Sequence, residues 1–401
     1  MPQRSFSFTI EHAPGDKRMM RTGTIHTPHG NIATPAFIPV GTAAAMKALT
    51  MDMMHEVGAQ AILSNAFHLY LQPGPQLIEK AGGVGKFENW DGPTFTDSGG
   101  FQVLSLGSGY KKVIAMQSDE ATVAAKSTRH AFVDEDGVNF KSHRDGSMHR
   151  FTPEVSMQIQ HALGADICFA FDELTSLADP RPYQEEALAR THAWAKRSVT
   201  EFRRLQQEHP TRPYQALFGV LQGANYEDLR RDTARFLAAQ DFDGYGIGGA
   251  IEKSQLSDIV RWVNEELPAD KPKHLLGISE PDDIFAAIEM GVDTFDCVSP
   301  TRVARNGAVY TRDGRYNITA AKHRESFEPL DPECDCKVCA EYSRAYIQHL
   351  KRAKEMLAAT LISYHNERFI IKLVDDIRAH IASGTFYNFR DDFLARYYAK
   401  K

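Results

Sequence analysis

The sequence lacks the long apolar segments that membrane-spanning and secreted proteins carry. Its 401 residues contain no run of about 18 apolar residues, and residues 1–8 hold no apolar signal-peptide core. Internal repeats, coiled-coil heptads and low-complexity tracts are also missing. With 42% hydrophobic and 24% charged residues, the composition is that of a globular protein with a large core. We therefore expect a cytoplasmic protein that has no membrane partner.

Cysteine is scarce, and its distribution argues against a disulfide framework. Three of the five cysteines are crowded into one segment, at Cys334, Cys336 and Cys339. Thiolates at this spacing can occupy three corners of a tetrahedral zinc site. We expect His365, beyond a helical stretch, to be the fourth ligand; His349 is nearer but would need that helix to bend. Four protein ligands leave no open position for catalysis, so one structural Zn²⁺ is predicted.

The net charge is modest and unevenly distributed. Its value of −6 argues against a protein covered in nucleic-acid-binding surface. Residues 301–401 nevertheless carry 18 basic and 13 acidic side chains, an excess of five positive charges. This excess is consistent with a local basic footprint on the C-terminal third, and equally with scatter in surface charge.

Eight short apolar runs, each ending in a polar residue or glycine, recur along the chain. They are residues 35–41, 61–65, 93–97, 166–172, 216–222, 242–249, 274–279 and 292–296. Stretches with helical periodicity separate most of them, at residues 154–163, 183–206, 226–239 and 255–266. Eight alternating units predict an α/β fold of the (β/α)8 TIM-barrel type. We assign residues 1–310 to the barrel and residues 311–401 to a C-terminal zinc-binding subdomain with closing helices.

Polar or glycine residues follow most of the predicted strands. They are Asn65, Asp97, Asp172, Gln222, Gly248, Gly249 and Asp296. Because barrel enzymes place their chemistry at the C-terminal strand ends, we expect these residues to meet at one mouth. The near absence of histidine there argues against a zinc hydrolase built on a barrel. After the seventh strand, Ser279 is the expected N-cap of a helix that has Pro281 in its first turn and ends at Gly291.

The connection between the third and fourth predicted strands, residues 105–152, is unusually long. Residues 132–140 have the pattern of a hairpin with an Asp136-Gly137 turn. The preceding residues 107–128 are rich in Ser, Ala and Lys, and we expect them to be mobile. Such a connection is typical of a lid or binding element, but a solvent-exposed insertion is the preferred interpretation.

Residues 95–102, Phe-Thr-Asp-Ser-Gly-Gly-Phe-Gln, place a carboxylate beside two glycines and an aromatic ring. A carboxylate next to flexible backbone and a stacking surface suits a planar, hydrogen-bonding ligand such as a nucleobase. Asp-Ser-Gly-Gly is also ordinary turn chemistry, so the segment alone leaves both interpretations open.

Nine segments, taken in order, resemble the tRNA-guanine transglycosylase family, the queuine tRNA-ribosyltransferases. They are residues 34–42, 65–69, 96–102, 171–173, 219–223, 277–283, 295–302, 305–307 and the cysteine triplet with its histidine. The resemblance covers nearly the whole chain and implies a (β/α)8 barrel with a zinc-binding insertion. It also implies the exchange of guanine at position 34, the wobble position of a tRNA anticodon, for a 7-deazaguanine base without cleavage of the RNA chain.

The same resemblance implies two catalytic carboxylates. Asp296 corresponds to the nucleophile of a double displacement that passes through a covalent ribosyl intermediate. Asp97 corresponds to the general acid and base that handles protons on the leaving and incoming bases.

A base pocket is implied as well. Asp172 would accept from the N1–H and exocyclic amine edge of guanine, Gln222 and the Gly249 N–H would donate to O6, and Phe101 would stack on the ring. Ser98, Gly99 and Gly100 complete the expected pocket.

Further segments match parts of the family that contact RNA. They are Gly277, Ile278, Ser279, Glu280, Pro281, Asp282, Asp283, Thr301, Arg302, Val303, Ala304 and Arg305. Arg302 and Arg305 are expected to hold the phosphates and bases that flank a flipped guanosine. The implied partners are a tRNA with a G-U-N anticodon, a 7-deazaguanine base and a second copy of the chain in a homodimer.

Two features depart from the family's usual pattern near the base. Leu174 stands where bacterial enzymes that use 7-aminomethyl-7-deazaguanine usually have cysteine and eukaryotic queuine enzymes have valine. The loop at residues 248–255 is shorter than usual, and Glu252 has no certain counterpart. Insertion of free queuine is therefore a hypothesis beside insertion of the aminomethyl base.

Two other functions share part of the pattern. A non-catalytic tRNA-binding subunit of a heteromeric transglycosylase would not need Asp97, Asp172 and Asp296. A transglycosylase that acts on DNA would keep these carboxylates but differ in the RNA-contacting and zinc segments, and both are present here. An active tRNA enzyme is therefore the preferred interpretation.

Overall fold

The computed structural model describes residues 5–14, 19–102 and 131–399. Within them the strands are β1 Ser7–His12, β2 Thr22–Thr27, β3 Gly30–Thr34, β4 Ala36–Pro39, β5 Ile62–Ser64, β6 Thr94–Thr96, β7 Ala131–Asp134, β8 Gly137–Lys141, β9 Met148–Phe151, β10 Ile167–Phe169, β11 Ala216–Leu221, β12 Gly244–Ile247, β13 Lys273–Leu275, β14 Thr294–Cys297, β15 Ala308–Thr311 and β16 Gly314–Asn317.

The α-helices of the same residues surround or follow the barrel strands. They are α1 Met51–Glu56, α2 Ala66–Leu71, α3 Pro75–Ala81, α4 Val84–Glu88, α5 Pro153–Leu163, α6 Arg181–Glu208, α7 Glu227–Ala238, α8 Leu256–Glu266, α9 Pro281–Glu289, α10 Ser299–Arg305, α11 Lys337–Glu341, α12 Arg344–Arg352, α13 Met356–Ala382 and α14 Phe386–Tyr397. No helix in the described ranges is long and apolar enough to cross a membrane.

Eight parallel strands close into a barrel, which confirms the predicted fold. Their order is β4-β14-β13-β12-β11-β10-β6-β5. The two end strands meet through a parallel bridge between Val40 and Leu63, where the Gly41 N–H donates to the Leu63 carbonyl over 2.8 Å. Every residue of β11 is buried, as expected of a parallel strand with both faces covered. Six of the eight predicted apolar runs contain a whole barrel strand, and runs 274–279 and 292–296 overlap β13 and β14 but miss Lys273 and Cys297.

The four predicted helical stretches are α5 to α8, so those predictions are confirmed. The expected cap of α9 is wrong. Pro281 occupies the first helical position, which puts Glu280 in extended backbone at the N-cap, one residue after Ser279. Gly291, with φ +92°, follows the end of that helix as predicted.

The sheet β1-β2-β3 covers the N-terminal ends of the barrel strands. Its Ile25 and Ile32 belong to the same apolar cluster as the barrel-lining Phe95 and Phe218. Arg21, just before β2, forms a bidentate ion pair with Asp293, with N···O distances of 2.8 and 2.7 Å. Since Asp293 precedes β14, the sheet closes the end of the barrel opposite the mouth.

The long connection forms a three-stranded antiparallel sheet, β7-β8-β9, in its described part. The hairpin is confirmed, but the expected Asp136-Gly137 turn is wrong. The turn residues are Glu135 and Asp136, and Gly137 already pairs with Asp134. A Cβ at Gly137 would lie 2.1 Å from the Phe151 carbonyl, so the glycine serves close strand packing. Residues 107–128, predicted to be mobile, lie outside the described residues.

The C-terminal segment shares the core of the barrel. Helix α13 packs against β4 and α10, and Arg378 donates to the carbonyls of Ala33 and Pro35 over 3.1 and 2.8 Å. One apolar cluster joins the barrel residue Phe295 to Ile370 of α13. The residues between β14 and α13 therefore form an elaboration that returns to the barrel wall.

We expect Arg21→Met to destabilise the protein by about 3–5 kcal/mol, because it leaves the Asp293 carboxylate buried without its cation. The side chains of the pair are only 7% and 0% exposed. Urea unfolding at pH 7 measures the change. The matched variant Arg261→Gln removes an exposed pair with Asp258 and should cost at most about 1 kcal/mol. Equal losses in the two variants would contradict this account of the N-terminal sheet.

Candidate active site and metal centre

Asp97 follows β6 and lies at the start of α2. Its Oδ1 accepts the Ala66 N–H over 2.7 Å, and its Oδ2 accepts from the Asn65 side chain. Burial raises the pKa of Asp97 to about 6. The hydrogen bonds lower this pKa, whereas the charge of Asp296 raises it. A carboxyl group that titrates near neutral pH can both give and take a proton.

Asp172 follows β10 and lies buried beside the glycine turn. Ser98 Oγ donates to its Oδ1 over 2.8 Å, and Gln222 Nε2 donates to its Oδ2 over 2.6 Å. Burial raises the pKa of Asp172 despite both donors. A Cβ at Gly100 would lie 2.6 Å from the Asp172 carbonyl, so only glycine permits this approach.

The neighbouring Glu173 anchors this strand end from behind. Its carboxylate accepts from Arg190 Nε and from the Tyr183 hydroxyl, each over 2.7 Å, and it is almost completely buried. Leu174, which departs from the family's usual pattern, is partly buried next to it. The paired glutamate therefore holds the segment that presents Asp172.

Asp296 ends β14 and is held through one of its oxygens. Oδ1 lies 3.0 Å from Nε2 of the buried His274 and 3.2 Å from the Gly277 nitrogen, whose N–H it accepts. Nδ1 of the same histidine lies 2.9 Å from Thr294 Oγ1. Gly277, predicted from the resemblance to contact RNA, thus also touches the candidate nucleophile.

Gln222 and Gly249 lie side by side above a buried arginine. Arg230 Nη1 donates to the carbonyls of Leu221 and Gly248 over 3.3 and 2.8 Å, tying together the ends of β11 and β12. Burial lowers the pKa of Arg230 to about 9. Within the described part of the chain, Arg230 Nη2 and Gln222 Oε1 have no hydrogen-bond partner. Gly249 adopts φ +96°, a conformation that favours glycine.

The remaining predicted base and RNA residues differ in exposure. Phe101 is 39% exposed, which leaves its ring open to a ligand. Arg302 and Arg305 are exposed on α10, whereas Thr301 and Ala304 of the same helix are buried.

In the other predicted RNA segment, several side chains bond within the protein. Glu280 pairs with Arg315, and Lys253 pairs with Asp282 and Asp283 at 2.8 and 3.4 Å. Burial raises the pKa of Asp283 to about 6. The structure therefore gives this acidic segment a lysine partner within the protein.

The four predicted metal ligands converge. Ligand atoms of Cys334, Cys336, Cys339 and His365 all lie within 4.8 Å of one another, so the cluster could hold a metal ion. His365 Nδ1 lies 3.6 and 3.3 Å from the sulfurs of Cys336 and Cys339. A tetrahedral zinc site, with bonds of about 2.3 Å to sulfur and about 2.0 Å to nitrogen, has sulfur-to-nitrogen edges of about 3.5 Å. The donor set and its spacing fit zinc.

The other ring nitrogen of His365 also has a partner. Nε2 donates to the Tyr310 carbonyl over 2.7 Å, which leaves Nδ1 as the nitrogen that faces the thiols. The next residue of α13, Asn366, donates to the carbonyls of Pro300 and Ala308 over 3.1 and 3.0 Å. The metal cluster is therefore linked to α10, which carries Arg302.

Comparison with known proteins agrees with this geometry. Residues 16–399 match the family model described as queuine tRNA-ribosyltransferase. The chain belongs to this family. A relative from Caldanaerobacter subterraneus subsp. tengcongensis, named queuine tRNA-ribosyltransferase, is 45% identical over 384 residues, covering 95% of each chain. Relatives of the same name from Thermoanaerobacter pseudethanolicus and Pelotomaculum thermopropionicum are 46% and 43% identical, covering 94% and 98% of each chain. The predicted family and fold are thus confirmed.

Sequence reasoning missed two residues in this queuine tRNA-ribosyltransferase fold that contact or support the site. They are His274 as a partner of Asp296 and Arg230 as the link between two strand ends. Asn65, which was expected at the mouth because it ends a predicted strand, donates to Asp97. His274 stands inside a predicted strand, and only the register that pairs it with Thr294 brings it to Asp296.

We expect Asp97→Asn to stabilise the folded protein near pH 7.5 and to have little effect near pH 4. Because the folded pKa is raised, the wild-type protein loses stability as the pH rises from about 4 through about 6. The asparagine variant has no such loss. Melting temperatures of both proteins between pH 4 and 8 measure the difference. A pH-independent difference between Asp97→Asn and the wild-type protein would contradict the assigned burial cost.

Proposed function

We propose that the protein is a tRNA-guanine transglycosylase of queuosine modification, which exchanges guanine at wobble position 34 of G-U-N anticodons for a 7-deazaguanine base. The observation that carries this proposal is the position of Asp97, Asp172 and Asp296 at the C-terminal ends of three strands of one barrel, with Asp296 close enough to raise the pKa of Asp97. The family match supports it. In this reaction the enzyme acts on a base that has left the RNA stack.

In the first half of the reaction, an Asp296 oxygen attacks ribose C1′ while the bond from C1′ to N9 of guanine breaks. The transition state has oxocarbenium character, which a nearby carboxylate stabilises. Asp97 supplies the proton that the departing guanine needs. Its raised pKa, about 6, suits that donation near neutral pH.

In the second half, N9 of the incoming base attacks C1′ from the side that guanine left. The bond between C1′ and Asp296 breaks, and its electron pair returns to the carboxylate. The N9 proton goes to Asp97. Two inversions give net retention, so the modified nucleoside keeps the original configuration.

Asp172 supplies the guanine specificity of this proposal. Its two oxygens can accept from N1–H and the exocyclic amine in parallel, as a carboxylate does with paired donors. Gln222 uses one N–H for Asp172, and an amide has a second N–H for O6. The Gly249 N–H is the other proposed O6 donor. Ser98, Gly99 and Gly100 shape the pocket floor beside Phe101.

The proposed RNA contacts lie around the mouth. Arg302 and Arg305 would hold the phosphates next to the flipped nucleotide, since guanidinium groups bind phosphate oxygens in pairs. Residues 277–283 and the rest of 301–305 would supply backbone contacts. The base itself is either 7-aminomethyl-7-deazaguanine or queuine, and competition between the two in an incorporation assay distinguishes them.

We also infer that the metal is one structural Zn²⁺, and the donor chemistry supports this assignment. We infer that residues 1–310 form the barrel and residues 311–401 form a zinc-binding subdomain. We further infer that the protein works as a cytoplasmic homodimer. When bound, the ion would organise the segment between β16 and α13. No reaction step depends on it.

Asp296→Asn should lower the rate of guanine exchange by more than about 1000-fold, because the amide is a poor nucleophile. Affinity for tRNA should change by less than about threefold. Incorporation of radiolabelled guanine into an unmodified tRNA with a G-U-N anticodon measures exchange, and filter binding measures affinity. Persistent guanine exchange in Asp296→Asn would show that another residue is the nucleophile. A wild-type protein that binds this tRNA without exchange would instead be a non-catalytic subunit.

Cys336→Ser should lose bound zinc and melt at a lower temperature, because a structural zinc site contributes directly to folding. Cys336 is nearly completely buried in the cluster. Cys168 is equally buried but lies in the barrel strand β10 and does not belong to the cluster. Metal content by mass spectrometry and melting temperature test this, with Cys168→Ser as the matched control. Unchanged zinc content in Cys336→Ser would show the ligand set to be wrong.

A further inference from the structure

His274 is a buried titratable side chain beside the candidate nucleophile, inside the barrel. We propose, resting on the transglycosylase function above, that His274 is a positioning residue that gives the two oxygens of Asp296 different tasks. Oδ1 is held by fixed donors, and Oδ2 is the atom that attacks C1′.

The first support is a continuous hydrogen-bonded chain across two adjacent strands. Thr294 Oγ1 lies 2.9 Å from His274 Nδ1, and His274 Nε2 lies 3.0 Å from Asp296 Oδ1. A carboxylate only accepts, so Nε2 carries the proton and the Thr294 hydroxyl is placed to fill the acceptor Nδ1. The carboxylate thereby selects the tautomer, and the threonine hydroxyl, which can donate to Nδ1, supports it.

The second support is the rigidity of the ring. The His274 side chain is 0% exposed. Its ring centroid lies 5.6 Å from that of Phe95 and 5.3 Å from that of Phe169, which line the barrel from two other strands. A ring packed in this way keeps its orientation, so its N–H is preorganised toward Asp296 before substrate binds.

The third support is a second donor to the same oxygen. The Gly277 N–H reaches Oδ1 over 3.2 Å. Gly277 adopts φ +81°, a backbone conformation that favours glycine. Among the described residues no group donates to Oδ2, and the Asp296 side chain is 13% exposed. The structure therefore leaves the unbonded oxygen as the one free to reach a ligand.

This asymmetry has different effects on the two halves of the reaction. In the first half, Oδ2 forms the bond to C1′ as guanine leaves with the N9 electron pair, and Oδ1 becomes the ester carbonyl. In the second half, N9 of the incoming base bonds to C1′ and the electron pair of the C1′–Oδ2 bond returns to the carboxylate. Donors on Oδ1 stabilise that returning charge. Their loss should slow release of Asp296 more than attack by it.

Two substitutions at His274 separate positioning from packing. In His274→Gln the amide nitrogen reaches the place of Nε2 and can still donate to Asp296, whereas the shorter His274→Asn cannot. His161→Asn is the matched control. His161 lies on the outer helix α5, is also buried, and forms a hydrogen bond with the side chain of Gln215. Thr294→Val tests the tautomer support directly.

The experiment follows a labelled tRNA transcript with a G-U-N anticodon through both halves. Enzyme and transcript are mixed and quenched in denaturant to measure covalent adduct, which is then chased with guanine. We expect His274→Asn to form adduct at a rate within about threefold of wild type and to release it at least about tenfold more slowly. His274→Gln and His161→Asn should stay within about threefold of wild type in both steps, and Thr294→Val should fall between.

Three results would overturn the inference. Unchanged adduct release in a folded His274→Asn would remove any role in the second half. If His274→Asn and His274→Gln slowed adduct formation and adduct release equally and lowered the melting temperature equally, the histidine would contribute only to packing. A wild-type protein that binds the transcript but forms no adduct would overturn the proposed function and this inference with it, whereas the first two results leave that function standing.

Discussion

Burial at the mouth of one barrel removes hydration from the carboxylates of Asp97 and Asp172, and the charge of Asp296 adds a smaller repulsion at Asp97. The arrangement of the surrounding hydrogen-bond donors depends on this electrostatic cost. Asp97 and Asp172 respond with raised pKa values, and the charge of Asp296 contributes to the shift at Asp97. The cost is offset by donors placed at each carboxylate, and those donors come from neighbouring strand ends, so closure of the barrel is what assembles the site.

Each carboxylate has a distinct set of fixed donors. Asp97 uses the start of α2, and Asp172 uses a serine after β6 and a glutamine after β11, the two strands that flank β10. Asp296 uses a barrel-core histidine and a backbone N–H on one oxygen. These differences suit the three tasks proposed above, in which one carboxylate exchanges a proton, one recognises a base and one forms and breaks a covalent bond. The candidate metal cluster contributes none of these donors, and it is linked to α10 through Asn366 of α13 and to β15 through His365.

The sequence was sufficient for the fold because most barrel strands are short, buried runs, and several of these runs are followed by a polar residue at the mouth. Asp97 and Asp296 could be placed in this way without knowledge of their contacts. The partners of those residues were less accessible. His274 meets Asp296 only because β13 and β14 pair with His274 opposite Thr294, and register between parallel strands depends on contacts distant in sequence. Likewise, Gly137 looked like a turn residue but is required by the close approach of Phe151.

The central claim is that Asp296 forms a covalent bond to ribose. It is tested most directly by mass spectrometry of the quenched complex with an unmodified G-U-N tRNA, after digestion of both RNA and protein. The account predicts a nucleotide lacking its base, attached to the peptide that contains Asp296 and located on that side chain by fragmentation. Attachment to Asp97 or Asp172 would contradict the account, as would guanine exchange that proceeds with no covalent adduct at any residue.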